Sequence, residues 1–108
     1  MEVLVESGPD VGRRVTLGGE TARLLVGSSP ACELQLADAT ASRRHLVIDV
    51  TSGEIRVLDQ RSTNGTFLNG VRVVEAFAQP NDVIALGATV LRLVACDPSS
   101  AAGGVVAP

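Results

Sequence analysis

Short apolar runs alternate with clusters of Gly, Pro, Asp and Ser along most of the chain. In the segment HLVIDV, Leu46, Ile48 and Val50 occupy alternate positions and therefore share one face of an extended strand. Because no helical period persists for more than about ten residues, we expect no substantial helix. The apolar runs predict β-strands over residues 2–6, 13–17, 23–26, 33–36, 45–50, 54–59, 65–68, 71–74, 83–86 and 89–95.

The spacing of these strands and turns is typical of an all-β domain. We predict a two-sheet antiparallel β-sandwich of about ten to eleven short strands. Thr51-Ser52-Gly53 predicts a hairpin connection, and Asn69-Gly70 predicts a type I′ turn. Because loops at one end of a sandwich can converge on a single site, we expect the recognition loops at one end.

The composition refines this picture. The 108-residue chain is 45% hydrophobic but has only two aromatic residues, Phe67 and Phe77, so its core must consist mainly of Val, Leu and Ile. The segment DPSSAAGGVVAP then changes to small residues, Gly and Pro. We therefore predict one domain over residues 1–96 and a flexible tail or linker over residues 97–108, to which further protein would be attached.

Charge and cysteine usage exclude several classes of function. The net charge is −3 and all nine basic residues are Arg, which argues against a general nucleic-acid or membrane surface. Cys32, Cys96 and the single His lack the spacing of a zinc site, so we expect no metal and no cofactor. No signal peptide or membrane-spanning run is present, which indicates a cytoplasmic protein.

Three polar segments between predicted strands carry the candidate chemistry: VGSSPAC at 26–32, DATASRRH at 38–45 and DQRSTNG at 59–65. This set is rich in donors and poor in available carboxylates, which suits a bound anion. Ser42 and His45 could also be a nucleophile and its base, but no orienting acid is evident, so we expect no enzyme. The candidate donors are the hydroxyls of Ser42, Ser62 and Thr63, the amide of Asn64, and the guanidinium groups of Arg43, Arg44 and Arg61.

Over about residues 23 to 94 the chain resembles the forkhead-associated (FHA) domain, a phosphothreonine-peptide reader. The resemblance rests on SRRH at 42–45, on STNGTFLNG at 62–70 two strands later, and on DVIALG at 82–87. It implies that Ser42, Arg43 and the main-chain N–H of Thr63 contact the phosphate and that Asn64 clamps the peptide backbone. Supporting roles are implied for His45, which would hold the recognition loops in register, and for Gly27, Gly65, Asn69 and Gly70.

Two positions depart from the family pattern. Ser28 stands where the family usually has an Arg that contacts the phosphate, and Arg61 stands where it usually has a small residue, often Gly. We hypothesise that Arg61 partly compensates for the missing Arg by reaching the phosphate from the other side. The alternative is a degenerate FHA fold that binds proteins without phosphate, which Ser28 favours.

The resemblance also implies a context. The partner would be a phosphothreonine protein, the target of a Ser/Thr kinase, and the module would act in bacterial signalling. The segments SRRHL and NGVRV, together with Gly27-Ser28, resemble the amino-terminal module of bacterial enhancer-binding activators that work with the nitrogen-type alternative sigma factor. This implies a role in regulating transcription as part of a larger protein, with no direct contact between this module and DNA.

Overall fold

The computed structural model describes residues 1–18 and 21–95, so Cys96 and the predicted tail over residues 97–108 lie outside the described residues. The all-β prediction is confirmed, because the regular elements of the described residues are all β-strands. This part of the chain has no helix that is long and apolar enough to cross a membrane. The strands are β1 Glu2–Ser7, β2 Arg14–Thr16, β3 Thr21–Gly27, β4 Leu34–Gln35, β5 Leu46–Thr51, β6 Glu54–Asp59, β7 Thr66–Leu68, β8 Val71–Val73, β9 Glu75–Ala78, β10 Val83–Leu86 and β11 Thr89–Val94.

The strands form two sheets, as predicted for a sandwich. One sheet has the order β2-β1-β11-β10-β7-β8, and the other has the order β4-β3-β5-β6-β9. Strand pairs are antiparallel except for the short parallel pair of β3 with β4, in which Val26 lies opposite Leu34. β3 and β4 can run parallel because residues 28–33 carry the chain from the end of β3 back to a position beside it.

The core between the sheets is aliphatic, as the composition predicted. Leu46 and Ile48 on β5 are fully buried, together with residues of β1, β3, β6, β10 and β11. Neither aromatic residue belongs to this core, because Phe67 is half-buried and Phe77 is 67% exposed.

Strand β9 was missed by the sequence pattern. The segment EAFA has no β-branched residue, and its side chains do not alternate clearly between apolar and polar. It is nevertheless a strand because it pairs with β6, with Phe77 opposite Arg56 and Ala78 opposite Ile55. Tertiary pairing at a sheet edge, rather than local propensity, produces this element.

The strand registers place the long loops at one end of the sandwich. In the five-stranded sheet, Val26, Leu46 and Asp59 form a row where β3 ends, β5 begins and β6 ends. In the six-stranded sheet, Leu86 lies opposite both Thr66 and Thr89. Loops leave both sheets just beyond these two rows, which explains why distant segments of the sequence meet there.

Candidate functional site

Three loops meet at this end of the sandwich: residues 28–33, 36–45 and 60–65. The amides of Ser28 and Ser29 donate to the carbonyl oxygens of Ser42 and Arg43, each at 3.0 Å. From the other side, the amide of Thr63 donates to Ser42 Oγ at 2.9 Å. The segment around Ser42 is therefore fixed between its two neighbouring loops, and we call residues 40–45 and 61–65 the recognition loops.

Gly27 allows this close approach at the end of β3. A Cβ atom at Gly27 would lie 2.2 Å from the carbonyl oxygen of Arg43 and 2.9 Å from that of Ser42. Both neighbours are backbone atoms that cannot move independently, so any side chain at this position would push the recognition loop away from the sheet.

His45 joins the two recognition loops from below. It is fully buried, its Nδ1 lies 3.0 Å from the amide of Ser42, and its Nε2 lies 2.8 Å from the carbonyl oxygen of Gly65. Because a backbone N–H can only donate and a carbonyl can only accept, Nδ1 must be the acceptor and Nε2 must carry the proton. The geometry thus requires the neutral imidazole and gives both of its nitrogens a structural partner.

Ser42 presents a hydroxyl at the top of this network. Its oxygen accepts the bond from Thr63, and among the described residues it donates to none. The hydroxyl hydrogen is therefore available to a ligand. Ser42 is half-buried and the neighbouring Thr63 is exposed. The Ser42 hydroxyl is therefore accessible to an anion.

The Asn64 side chain also spans the two loops. Its Nδ2 donates to the carbonyl oxygen of Thr40 at 2.9 Å, while the residue itself remains exposed. This bond fixes the orientation of the amide and leaves its oxygen and its second N–H for a peptide backbone.

Two aspartates that the sequence analysis did not single out hold these loops in shape. Asp59 accepts bonds from the amide and hydroxyl of Ser62, at 3.1 and 2.5 Å, and from the Thr66 hydroxyl at 2.7 Å. Burial alone raises the pKa of Asp59, but the bonds from Ser62 and Thr66 outweigh burial and lower that pKa below its ordinary value. The local signal was an Asp three residues before a Ser, a spacing typical of side-chain-stabilised turns.

Ser62 is consequently not a ligand donor, contrary to the sequence prediction. It is buried, its hydroxyl donates to Asp59, and the same oxygen accepts a bond from the amide of Gly65 at 3.0 Å. The hydroxyl is thus used within the loop.

Asp38 fixes the first recognition loop to the turn between β10 and β11. It accepts bonds from Thr40, from the amide of Ala88 and from the Thr89 hydroxyl, the last two at 2.8 Å. Burial raises the pKa of Asp38, but the bonds from Thr40, Thr89 and Ala88 more than offset it, so that the pKa is lowered. Its partners Ala88 and Thr89 lie about fifty residues away in the sequence, and no local pattern reveals them.

The arginines of the recognition loops lie on the surface. Arg43, Arg44 and Arg61 are exposed, and within residues 1–18 and 21–95 none of them has a carboxylate within 4.0 Å. Arg61 has a φ of 58°, a left-handed conformation that Gly adopts without strain. That backbone requirement explains why a small residue such as Gly suits this position.

Ser28 does not replace an arginine at this site. Its hydroxyl donates to the carbonyl oxygen of Ala41 at 3.2 Å and so belongs to the internal bonding of the loops. Asn69 and Gly70 lie in the β7–β8 hairpin, with φ angles of 51° and 87° as a type I′ turn requires. The side chain of Asn69 accepts a bond from the amide of Val83, which fixes the hairpin to β10.

A pocket of about 310 Å³ opens beside the recognition loops. Its floor is partly apolar, since Phe67 and Ala88 contribute to it, and Asn64 links it to the second recognition loop. It is lined by Thr40, Asn64, Phe67, Gly87 and Ala88.

Comparisons with known proteins agree on the kind of domain. Residues 4–97 match the family model described as the inner membrane component of T3SS, cytoplasmic domain. The chain is 34% identical over 85 residues to the glycogen accumulation regulator GarA of Mycolicibacterium smegmatis, an alignment that covers 79% of this chain and 52% of the relative. The chain thus spans about half the length of that relative.

Solved structures share the fold over nearly the whole described chain. The crystal structure of the FHA domain of the CT664 protein from Chlamydia trachomatis is 26% identical, with a TM-score of 0.83, and the match covers 89% of this chain and 97% of that one. A structure from a structural and functional analysis of phosphothreonine-dependent FHA domain interactions is also 26% identical, with a TM-score of 0.75 and coverage of 89% and 96%.

Proposed function

Because the chain belongs to the family of the T3SS inner-membrane component's cytoplasmic domain and is an FHA domain, we propose that it binds phosphothreonine-containing segments of partner proteins. FHA domains are interaction modules for phosphorylated motifs, not enzymes. On this proposal Ser42 and His45 form a binding network, and the alternative of a nucleophile and its base is set aside.

The observation that carries the proposal is the network of His45, Ser42 and Thr63. His45 uses both ring nitrogens to hold the recognition loops, and Ser42 is left with an outward hydroxyl hydrogen. A phosphothreonine carries close to two negative charges at pH 7 and offers three acceptor oxygens. A rigid donor set of this kind is suited to such a group, because little ordering is needed when the ligand binds.

The carboxylates of the loops do not oppose an anion directly. Asp38 and Asp59 accept bonds from hydroxyls and amides of the surrounding chain, whereas the arginines of the recognition loops have no carboxylate within 4.0 Å among the described residues. On this proposal the Ser42 hydroxyl and Arg43 contact the phosphate, and Arg61 approaches it from the second loop. The Thr63 N–H, which the resemblance assigns to the phosphate, donates to Ser42 Oγ in this structure and orients that hydroxyl. Asn64, already oriented by Thr40, would hold the peptide backbone.

A second candidate is phosphate-independent protein binding by a degenerate FHA fold. Ser28 favours this candidate because its hydroxyl is bonded to Ala41 and cannot supply the charge of the usual Arg. The description of the matching family names a component of a secretion apparatus and does not mention phosphate binding. That description is compatible with phosphate-independent protein binding.

The wider context is also part of the proposal. We infer a bacterial signalling role, a cytoplasmic location, and a partner that a Ser/Thr kinase phosphorylates. The sequence also suggested a module of a sigma-factor-dependent transcription activator, but the relatives described above do not support that context. The boundaries over residues 1–96 and 97–108 remain a prediction.

Titration with matched peptides tests the proposal. A fluorescent phosphothreonine peptide should bind, and the same peptide with unphosphorylated Thr should bind at least about tenfold more weakly, since a charged hydrogen bond contributes about 1.5–3 kcal/mol. Ser42→Ala should lose a similar factor for the phosphopeptide alone. Ser7→Ala, an exposed serine on β1, serves as the control. Equal binding of the two peptides would reject phosphate reading and favour the degenerate module.

A further inference from the structure

The arginines of this chain divide into two groups by their surroundings. Five have a carboxylate partner within 4.0 Å, namely Arg13, Arg14, Arg23, Arg56 and Arg92. In the part of the chain that the structure describes, the other four have none. Three of these four lie in the recognition loops, and the fourth, Arg72, lies on β8.

Arg72 lies against the second recognition loop. A Cβ atom at Gly65 would be 2.7 Å from Arg72 Nε and 3.0 Å from its Cζ, so the guanidinium group lies directly over the Gly65 backbone. Gly65 directly follows Asn64, and its φ is 87°. The left-handed conformation favours glycine at position 65, and the guanidinium group occupies the space above it.

The same side chain lies beside the pocket. Arg72 is directly opposite Phe67 in the β7–β8 pair, so the two side chains project from the same face of the hairpin. Phe67 and Asn64 both line the pocket. An exposed cation, an aromatic ring and the amide of Asn64 thus lie close together beside the pocket.

We propose that Arg72 is a specificity-determining residue that selects an acidic side chain, Asp or Glu, in the bound phosphopeptide. The alternative interpretation is that Arg72 is a solvated surface charge. The geometry favours a binding role, because the guanidinium group lies over the loop at Gly65 and beside the pocket, and no carboxylate of the described chain lies within 4.0 Å of it. A guanidinium group binds carboxylates through two parallel hydrogen bonds, and its weak hydration lowers the cost of exchanging water for such a ligand.

This inference rests on the proposed function, since a peptide must be held by the recognition loops before one of its side chains can reach Arg72. It adds a second anionic group to the ligand. The preferred partner is thus a segment with a phosphothreonine and a nearby acidic residue, bound by two separate cationic sites.

The test uses a set of fluorescent phosphothreonine peptides with Ala at the flanking positions and a single Glu moved through each position on either side. At one position Glu should strengthen binding by up to about fivefold, the upper end of the range of an exposed ion pair. In Arg72→Gln the Glu and all-Ala phosphopeptides should bind equally, and Arg72→Lys should retain part of the gain. Arg72→Glu should reverse the preference, so that Lys at that position is favoured. Arg14→Gln, a charge change on β2, should leave the gain intact.

Each outcome separates the two proposals. If phosphorylation matters but no Glu position is favoured, or if the gain survives in Arg72→Gln, the inference about Arg72 is wrong and the proposed function stands. If Arg72→Gln weakens all phosphopeptides alike and lowers the melting temperature, Arg72 only supports the loop and the inference is also wrong. If phosphorylated and unphosphorylated peptides bind equally, the proposed function fails and the inference fails with it.

Discussion

At the scale of single residues, the site depends on the two ring nitrogens of His45, each of which contacts one backbone group of a recognition loop. His45 satisfies the amide of Ser42 and the carbonyl of Gly65 from a fully buried position. His45→Ala leaves both groups without this partner, so the free energy of unfolding should fall by roughly 1–3 kcal/mol. Chemical or thermal denaturation measures this loss.

Asn64→Ala is the matched comparison, because Asn64 is exposed and, among the residues that the structure describes, its side chain bonds only to Thr40. It should change the melting temperature little and mainly weaken peptide binding. A His45→Ala variant with native stability but no binding would show that His45 contacts the ligand rather than supports the loops.

Position 28 lacks the Arg that is usual in the family, and position 61 carries an Arg where a small residue is usual. This difference gives a second prediction. Ser28→Arg should strengthen phosphopeptide binding, while Arg61→Gly should weaken it by about 10- to 100-fold, the effect of one charged hydrogen bond. Because Arg61 has a φ of 58°, the change to Gly relieves backbone strain, and the variant should be at least as stable as the native protein. Isothermal titration at two salt concentrations, with Arg23→Gln as the charge control, measures both effects.

The double variant tests whether the two positions serve one anion. If they do, Ser28→Arg should reduce the loss caused by Arg61→Gly, so that the two effects are not additive. An Arg61→Gly variant with unchanged affinity and salt dependence would make Arg61 a solvated surface charge.

At the scale of strands and loops, Asp59 and Asp38 connect elements that the sequence places far apart. Both carboxylates have lowered pKa values because they accept several hydrogen bonds. Their stabilisation is therefore complete above the unfolded pKa of about 3.9, and it is lost as the pH falls through the lowered pKa in the folded protein. Acid should weaken the recognition loops by this route.

Asp59→Asn isolates this effect. At pH 7 the variant should be less stable by roughly 1–3 kcal/mol, because Asn cannot accept the bonds of Ser62 and Thr66 as a carboxylate does. The difference should narrow as the pH falls from about 4, where Asp in the unfolded chain takes up its proton, down through the lowered pKa of Asp59 in the folded protein. Urea titrations over a pH series measure it, with the exposed Glu54→Gln as control. A stability difference that stays constant down to pH 2 would contradict the role given to Asp59.

The same scale shows what the sequence could and could not predict. Alternating apolar residues predicted β5 and β6 closely, since Leu46, Ile48 and Val57 all face the core. The pattern missed β9, which depends on its pairing with β6. It also missed Asp38, whose partners Ala88 and Thr89 are about fifty residues away. Local patterns therefore predicted the strands, whereas the contacts that assemble the site are long-range.

At the scale of the whole molecule, two stacked sheets position the recognition loops at one end of the sandwich. The row of Val26, Leu46 and Asp59 fixes where the loops leave the five-stranded sheet, and the aliphatic core keeps that row rigid. The sequence motifs that resemble those of the FHA family identified the candidate residues. The fold explains why these residues are neighbours. Arg72 became a candidate only when its position over Gly65 was known.

An NMR titration of the ¹⁵N-labelled chain tests the central claim most directly, because it locates the ligand and measures phosphate dependence together. With a phosphothreonine peptide, the account predicts saturable shifts of the Ser42 and Thr63 amides and of the Asn64 side-chain NH₂ group, and no such shifts with the unphosphorylated peptide. Identical shifts with both peptides would contradict the account, as would shifts confined to the outer face of the five-stranded sheet around Arg23 and Phe77.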